Sequence, residues 1–181
     1  MEDEKLIRLD LACGDNKRPD DQFGKWLGVD IIKLPNVDIV HDLEVYPWPI
    51  KDKSVDEIFC SHYIEHTKDL MKFMNECHRI LKDTGKMAII APYYNSVRAW
   101  QDPTHVRAIS EFTFMYFNKE WRKNNKLEHY PITCDFDFSY GYILNGDWVN
   151  RSEEARQFAF RHYTNCINDI QVTMTKRPEV K

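Results

Sequence analysis

Glycine is scarce here, with six in 181 residues, and nowhere do they assemble a G-x-G-x-x-G. That argues against a dinucleotide fingerprint, and so against a nicotinamide oxidoreductase. Cysteine is present without a pattern. Cys13, Cys60, Cys77, Cys134 and Cys166 are odd in number and form no C-x-x-C pair, which argues against a zinc knuckle or a redox dithiol. No apolar run approaches the roughly 20 residues of a membrane helix. The start, "MEDEKLIRL", is acidic, unlike a secretory leader or an Arg-rich transit peptide, and predicts a cytoplasmic protein with no membrane partner. Repeats, low-complexity tracts and flexible linkers are also missing. The expectation is one domain over residues 1–181, large enough to bury its own core.

A surplus of positive charge is lacking too. The net charge is −4, with 8 Lys/Arg against 14 Asp/Glu in residues 1–60 and 17 against 15 in residues 61–181. Proteins that track phosphates carry a basic surface, so a nucleic-acid partner is disfavoured.

What the chain does have is α/β patterning. Strands are expected at Leu6–Leu11, Trp26–Ile32, Val37–His41 and Ser54–Ser61. The clearest helix follows Thr67 as N-cap, with Leu70, Phe73, Met74, Cys77 and Leu81 at helical spacing, and Gly85 suits its left-handed C-terminal cap. "KMAIIAP", Lys86–Pro92, has the look of a strand buried on both faces, completing a βαβ unit. Beyond it the pattern predicts a short helix at Ser110–Phe117, a strand at Cys134–Leu144, a helix at Ser152–His162 and a strand at Ile167–Lys176. The last two strands suit an antiparallel C-terminal edge. Only nine residues separate Asn16 from Trp26, and four separate Ile32 from Val37, too few for helical crossovers. The fold expected is a Rossmann-like, mostly parallel sheet whose first crossover helices are shortened to loops.

The first turn, "LDLACGDNKRP", places Asp10 at a strand end and follows it with small Ala12, Gly14 and Asn16, the last tolerant of left-handed dihedrals. Asp30 closes the second strand sixteen residues after Gly14, the position from which a carboxylate reaches a ribose diol at a switch-point crevice. Asp42 and Leu43 close the third.

Taken in order, these stretches resemble a class I S-adenosylmethionine-dependent methyltransferase of the compact type 11 group, over about residues 6–92. "LDLACGDN" is similar to its acidic-x-Gly-x-Gly-x-Gly motif, with Ala12 and Asn16 in place of the first and third glycines. "GVDI" is similar to its ribose strand. "HDLEVYPWPIKDKSVDEIFCSHYIEH" and "ECHRILKDTGKMAIIAPY" follow its later elements. The resemblance implies S-adenosyl-L-methionine as cofactor, held by residues 1–92, with an acceptor site in 93–181. It implies that Asp10 holds the methionine amino group, with Lys17 offered by charge alone for its carboxylate. The backbone of Ala12, Cys13, Gly14 and Asn16 lies against the ligand, Asp30 and Ile31 take the ribose, Asp42 and Leu43 the adenine, and Ser61 and His62 line the pocket.

Methyl transfer from a sulfonium needs alignment above all, and a general base helps where the nucleophile carries a proton. His62, His66 and His105 are candidates, with Asp102 as partner or substrate binder. His62 and His66 flank Glu65, but as a metal pair they lack a third ligand, and no metal is expected; His66 is expected to pack at the start of the long helix. "DPTHVR", Asp102–Arg107, suits a loop over the site and is similar to a stretch in family relatives; a structural turn in which Asp102 caps and Arg107 pairs is the even alternative. The aromatics Tyr93, Tyr94, Trp100, Phe112, Phe114, Tyr116 and Phe117 are expected mainly in the core. The acceptor, a small molecule, a sugar or a protein side chain, is open at this point. So is a non-catalytic S-adenosylmethionine-binding module.

Overall fold

The computed structural model describes residues 6–178; the acidic stretch 1–5 lies outside them. Seven strands form one sheet in the order β3-β2-β1-β4-β5-β7-β6. β1 (Leu6–Leu11), β2 (Gly24–Asp30), β3 (Ile39–Val40), β4 (Val55–Ser61) and β5 (Leu81–Pro92) are parallel. β7 (Ile167–Lys176) enters antiparallel beside β5, and β6 (Phe136–Leu144) pairs antiparallel with β7. This is the mostly parallel Rossmann-like sheet with antiparallel C-terminal strands that the pattern predicts.

The crossovers from β1 to β2, β2 to β3 and β3 to β4 contain no helix. α1 (Leu70–Ile80) provides the crossover to β5. It buries Phe73, Met74, Cys77 and Ile80 against the face carrying Leu9, Leu11, Ile58, Cys60, Met87 and Ile89. Short helices follow: a 3-10 turn at Val97–Ala99, α2 (Glu111–Met115), α3 (Lys119–Asn124), α4 (Gly146–Val149) and α5 (Glu153–His162). α3 and α4 are too short to show a helical period in the sequence.

On the opposite face the first-crossover helix is replaced by side chains. Arg8 and Arg18 lie over the Trp26 ring at 4.8 and 5.2 Å, and Arg18 covers Phe59 at 4.3 Å. Stacked guanidiniums bring apolar stems and a cation to the rings.

Local expectations are corrected in four places. The N-cap of α1 is Asp69, whose carboxylate accepts from Lys72 N–H, while Thr67 is buried and donates to Glu44. Gly85 is not the left-handed cap: Thr84 takes the positive φ of 65°, and Gly85 is needed because a Cβ would sit 2.9 Å from the Lys82 carbonyl. The end of α1 is capped from far away, by Lys176 Nζ donating to the His78 and Leu81 carbonyls at 2.8 Å each. β5 therefore begins at Leu81, with a register slip after Val55 that sets Lys82–Gly85 aside.

Candidate active site

The parallel strands end on one edge, and the chain order reverses between β1 and β4, so their C-terminal ends open a crevice. Ala12 and Gly14 turn the chain after β1 at φ 54° and 51°. The left-handed residues are these two and not Asn16, whose N–H closes the turn onto the Cys13 carbonyl. Asp30, at the end of β2, accepts from Gly14 N–H at 2.9 Å and Ile32 N–H at 3.0 Å, fixing one turn against the next strand. Gly28 permits this approach, since a Cβ there would meet Cys13 Sγ at 2.7 Å and the Asn36 carbonyl at 2.6 Å. Ala12, Asp30, Ile31, His41, Asp42, Leu43, Glu44, Tyr63 and His66 line one cleft of about 230 Å³. Five of the sequence-predicted cofactor residues, Ala12, Asp30, Ile31, Asp42 and Leu43, thus face the same space from the ends of three strands.

Asp10, near the end of β1, does not line this cleft; it is 3% exposed and accepts from Arg18 N–H at 2.7 Å. Burial pushes its carboxyl above the ordinary range, against the pull of Arg18 and Lys17. Cys13 is buried, and burial pushes its thiol up to about 11. Lys17 is not brought to the cleft: its ammonium pairs with Asp38 at 2.9 Å. Asp38 also accepts from Gly28 N–H, which fixes it as the acceptor for this ammonium.

A second pocket of about 340 Å³ adjoins the first, with His66 in both walls. His62, Glu65, Pro92, Arg98, Gln101, Asp102 and His105 complete it. Ser61 ends β4, and His62 follows it with a left-handed φ of 54°, a conformation that costs a β-carbon residue energy and concentrates at functional sites. His62 Nδ1 stands 3.5 Å from Glu65 Oε1, and Nε2 stands 4.0 Å from Asp169 Oδ1. The Glu65 carboxylate, with Asp169 behind it, raises the imidazole pKa. Asp169, on β7, is also held by Arg98 at 2.8 Å.

The loop "DPTHVR" folds back across the turn after β4. Val106 N–H donates to the Glu65 carbonyl at 2.9 Å, and Arg107 donates to the Ile64 and Lys68 carbonyls at 3.5 and 3.2 Å. Asp102 accepts from both the N–H and the hydroxyl of Thr104. That hydroxyl meets His66 Nδ1 at 2.9 Å, so His66 faces the loop rather than packing at the start of α1. His105 turns Nδ1 to the Ala99 carbonyl at 3.1 Å. Of the aromatics, Tyr93, Phe114 and Phe117 are core, while Trp100, 71% exposed, and Phe112 stand in solvent.

Glu65, Asp169 and Arg98 are site residues that spacing did not single out. The one sign of Asp169 is an acidic residue set inside the apolar alternation of "INDIQV".

Residues 9–89 match the family model described as a methyltransferase domain. No curated protein matches the chain. Among solved structures, a SAM-dependent methyltransferase from Archaeoglobus fulgidus is 19% identical with a TM-score of 0.62, over 95% of this chain and 86% of its own. The YcgJ protein from Bacillus subtilis is 18% identical with a TM-score of 0.58, over 97% and 93%. An S-adenosylmethionine-dependent methyltransferase from Mesorhizobium loti is 14% identical with a TM-score of 0.55, over 97% and 93%. At these identities the likeness is one of fold.

Proposed function

We propose that this chain, whose residues 9–89 match the family model of a methyltransferase domain, transfers a methyl group from S-adenosylmethionine to an acceptor held in its second pocket. The observation that carries this is the pair of adjoining spaces with His66 in their common wall. One is lined by the strand-end carboxylates suited to a nucleoside, the other by histidines and carboxylates suited to a proton-bearing nucleophile.

The cofactor family fits the residues present. Asp30 and Asp42 project into one cleft from neighbouring strand ends, and each oxygen that accepts a main-chain N–H retains a lone pair for a hydroxyl or an amino group. Asp30 and Ile31 would hold the ribose, and Asp42 and Leu43 the adenine. Asp10 is a buried carboxylate that gains from an ammonium partner. The cofactor, when bound, supplies a methyl group already activated on a sulfonium. What the chain adds is alignment, worth up to about 7–11 kcal/mol in favourable systems, and the handling of one proton. His62 is the group at the end of β4 placed to take that proton, with Asp169 and Glu65 to stabilise the imidazolium. Asp102 acts through Thr104, as a positioning residue for His66.

A small molecule, a sugar or a protein side chain suits the acceptor pocket better than a nucleic acid, since the net charge is −4. No helix among the described residues is long and apolar enough to cross a membrane. Five buried thiols fit a reducing cytoplasmic setting.

The test is calorimetric titration with S-adenosylmethionine, S-adenosylhomocysteine and NAD. Binding of both adenosyl ligands and not of NAD is expected. Failure of both to bind would overturn the reading.

A further inference from the structure

We propose that Glu65, His66 and His105 form a binding site for a divalent first-row transition-metal ion. One ligand atom from each of the three lies within 4.8 Å of those of the other two. Sequence spacing offers only a two-histidine pair after β4. The fold supplies the third ligand by laying the loop after β5 across that turn, pinned by Val106 N–H on the Glu65 carbonyl and by Arg107 on the Ile64 and Lys68 carbonyls.

Two independent observations point to a cation. The first is Glu65. Its residue is 1% exposed, and both carboxylate oxygens are buried without a hydrogen-bond partner. A buried carboxylate demands compensating charge and donors; His62 Nδ1, 3.5 Å away, offers charge on one side and leaves both oxygens without a hydrogen bond. The second is the orientation of the two imidazoles. His105 Nδ1 faces the Ala99 carbonyl, an acceptor only, so Nδ1 carries the proton and Nε2 is left with a lone pair. Thr104 gives its hydroxyl proton to Asp102 and receives His66 Nδ1–H, which leaves His66 Nε2 bare as well. An acceptor on the distal nitrogen, here a carbonyl for His105 and a carboxylate-held hydroxyl for His66, is how proteins fix the tautomer of a metal-binding histidine.

Two imidazoles and one carboxylate suit Zn²⁺, Co²⁺, Fe²⁺ or Mn²⁺ rather than Mg²⁺ or Ca²⁺, which prefer oxygen cages. Three protein ligands leave coordination positions open. Ligand atoms around one ion at about 2.0–2.2 Å stand roughly 3.3–3.6 Å apart in a tetrahedron, so binding draws His105 inward with its loop. The open positions face the second pocket, where an oxygen donor on the acceptor would complete the shell; this last point rests on the methyltransferase reading. With its Nε2 on the ion, His105 is a ligand and not a base.

Chelator-stripped protein is titrated with Zn²⁺ by calorimetry and with Co²⁺ by visible absorption. One equivalent of each is expected, with the d–d bands of a nitrogen and oxygen site. His105→Ala should weaken Zn²⁺ at least tenfold while its melting temperature and its affinity for S-adenosylhomocysteine stay near wild type. Glu65→Gln should do the same to Zn²⁺; where it fails to fold, His105→Ala decides. No uptake, or uptake unchanged in His105→Ala, would overturn the site. The two readings separate cleanly: metal uptake without adenosyl-ligand binding keeps the metal site and sinks the methyltransferase reading, and the converse does the opposite.

Discussion

In the proposed reading Asp30 carries nucleoside recognition, and it would then have two duties. Its carboxylate holds the N–H groups of Gly14 and Ile32 while its remaining lone pairs face the cleft. Asp30→Ala is therefore expected to weaken S-adenosylhomocysteine at least tenfold by calorimetry; unchanged affinity would remove it from the site. In the same reading Asp10 would set the pH response of binding. Burial raises its pKa, so it takes a proton at a higher pH than an ordinary carboxylate of about 4. Protonated Asp10 cannot pair with an ammonium, so cofactor affinity should fall on acidification, beginning above that ordinary range. Asp10→Asn should bind more weakly at neutral pH and lose this dependence, and a parallel fall in wild type and variant would contradict the assignment. At this scale Asp30 and Asp42 were legible in the sequence, because strand-end carboxylates stand where the backbone pattern puts them. Charge alone does not place Lys17, whose partner in the fold, Asp38, lies across a loop. Glu65 was passed over because its burial depends on a loop forty residues away.

At the scale of elements, the loop joining β1 to β2 replaces a helix and must cover one sheet face with side chains. Arg8 pairs with Asp21 in that loop at 2.8 Å, which holds the Asp21 carboxyl down to about 2. A depressed folded-state pKa contributes stability that is present above the unfolded value, near 4, and is lost as pH falls through about 2. Asp21→Asn should accordingly flatten the acid limb of a melting-temperature profile between pH 4 and 2; an unchanged limb would contradict the pairing. The same logic of long-range support applies to α1. Its terminal carbonyls accept from Lys176, 2% exposed on β7. Lys176→Met leaves both without that donor and should cost about 2–4 kcal/mol in denaturant unfolding. A loss below that range would assign the cap elsewhere. Gly85 points the wrong way for the same reason: a glycine after a helix usually signals a local cap, and here a strand from the far end of the chain, β7 beside β5, supplies it.

For the whole molecule, the absence of early helices was readable because it follows from chain length. Nine residues cannot carry a helical crossover, and Pro19 falls inside that interval. The single good helical period fixed α1, and uninterrupted apolar runs fixed the central strands. What escaped was the assembly of pieces with no period of their own: α3, α4 and the loop 102–107, whose positions are set by hydrogen bonds to distant carbonyls. The two-pocket edge of the sheet results from that assembly, and the proposed activity depends on it. A crystal structure with S-adenosylhomocysteine tests this most directly. The account predicts the ribose on Asp30, the adenine beside Asp42 and Leu43, and the thioether sulfur directed at the pocket of His62. A nucleoside seated away from Asp30 and Asp42, or a sulfur turned from that pocket, would contradict it.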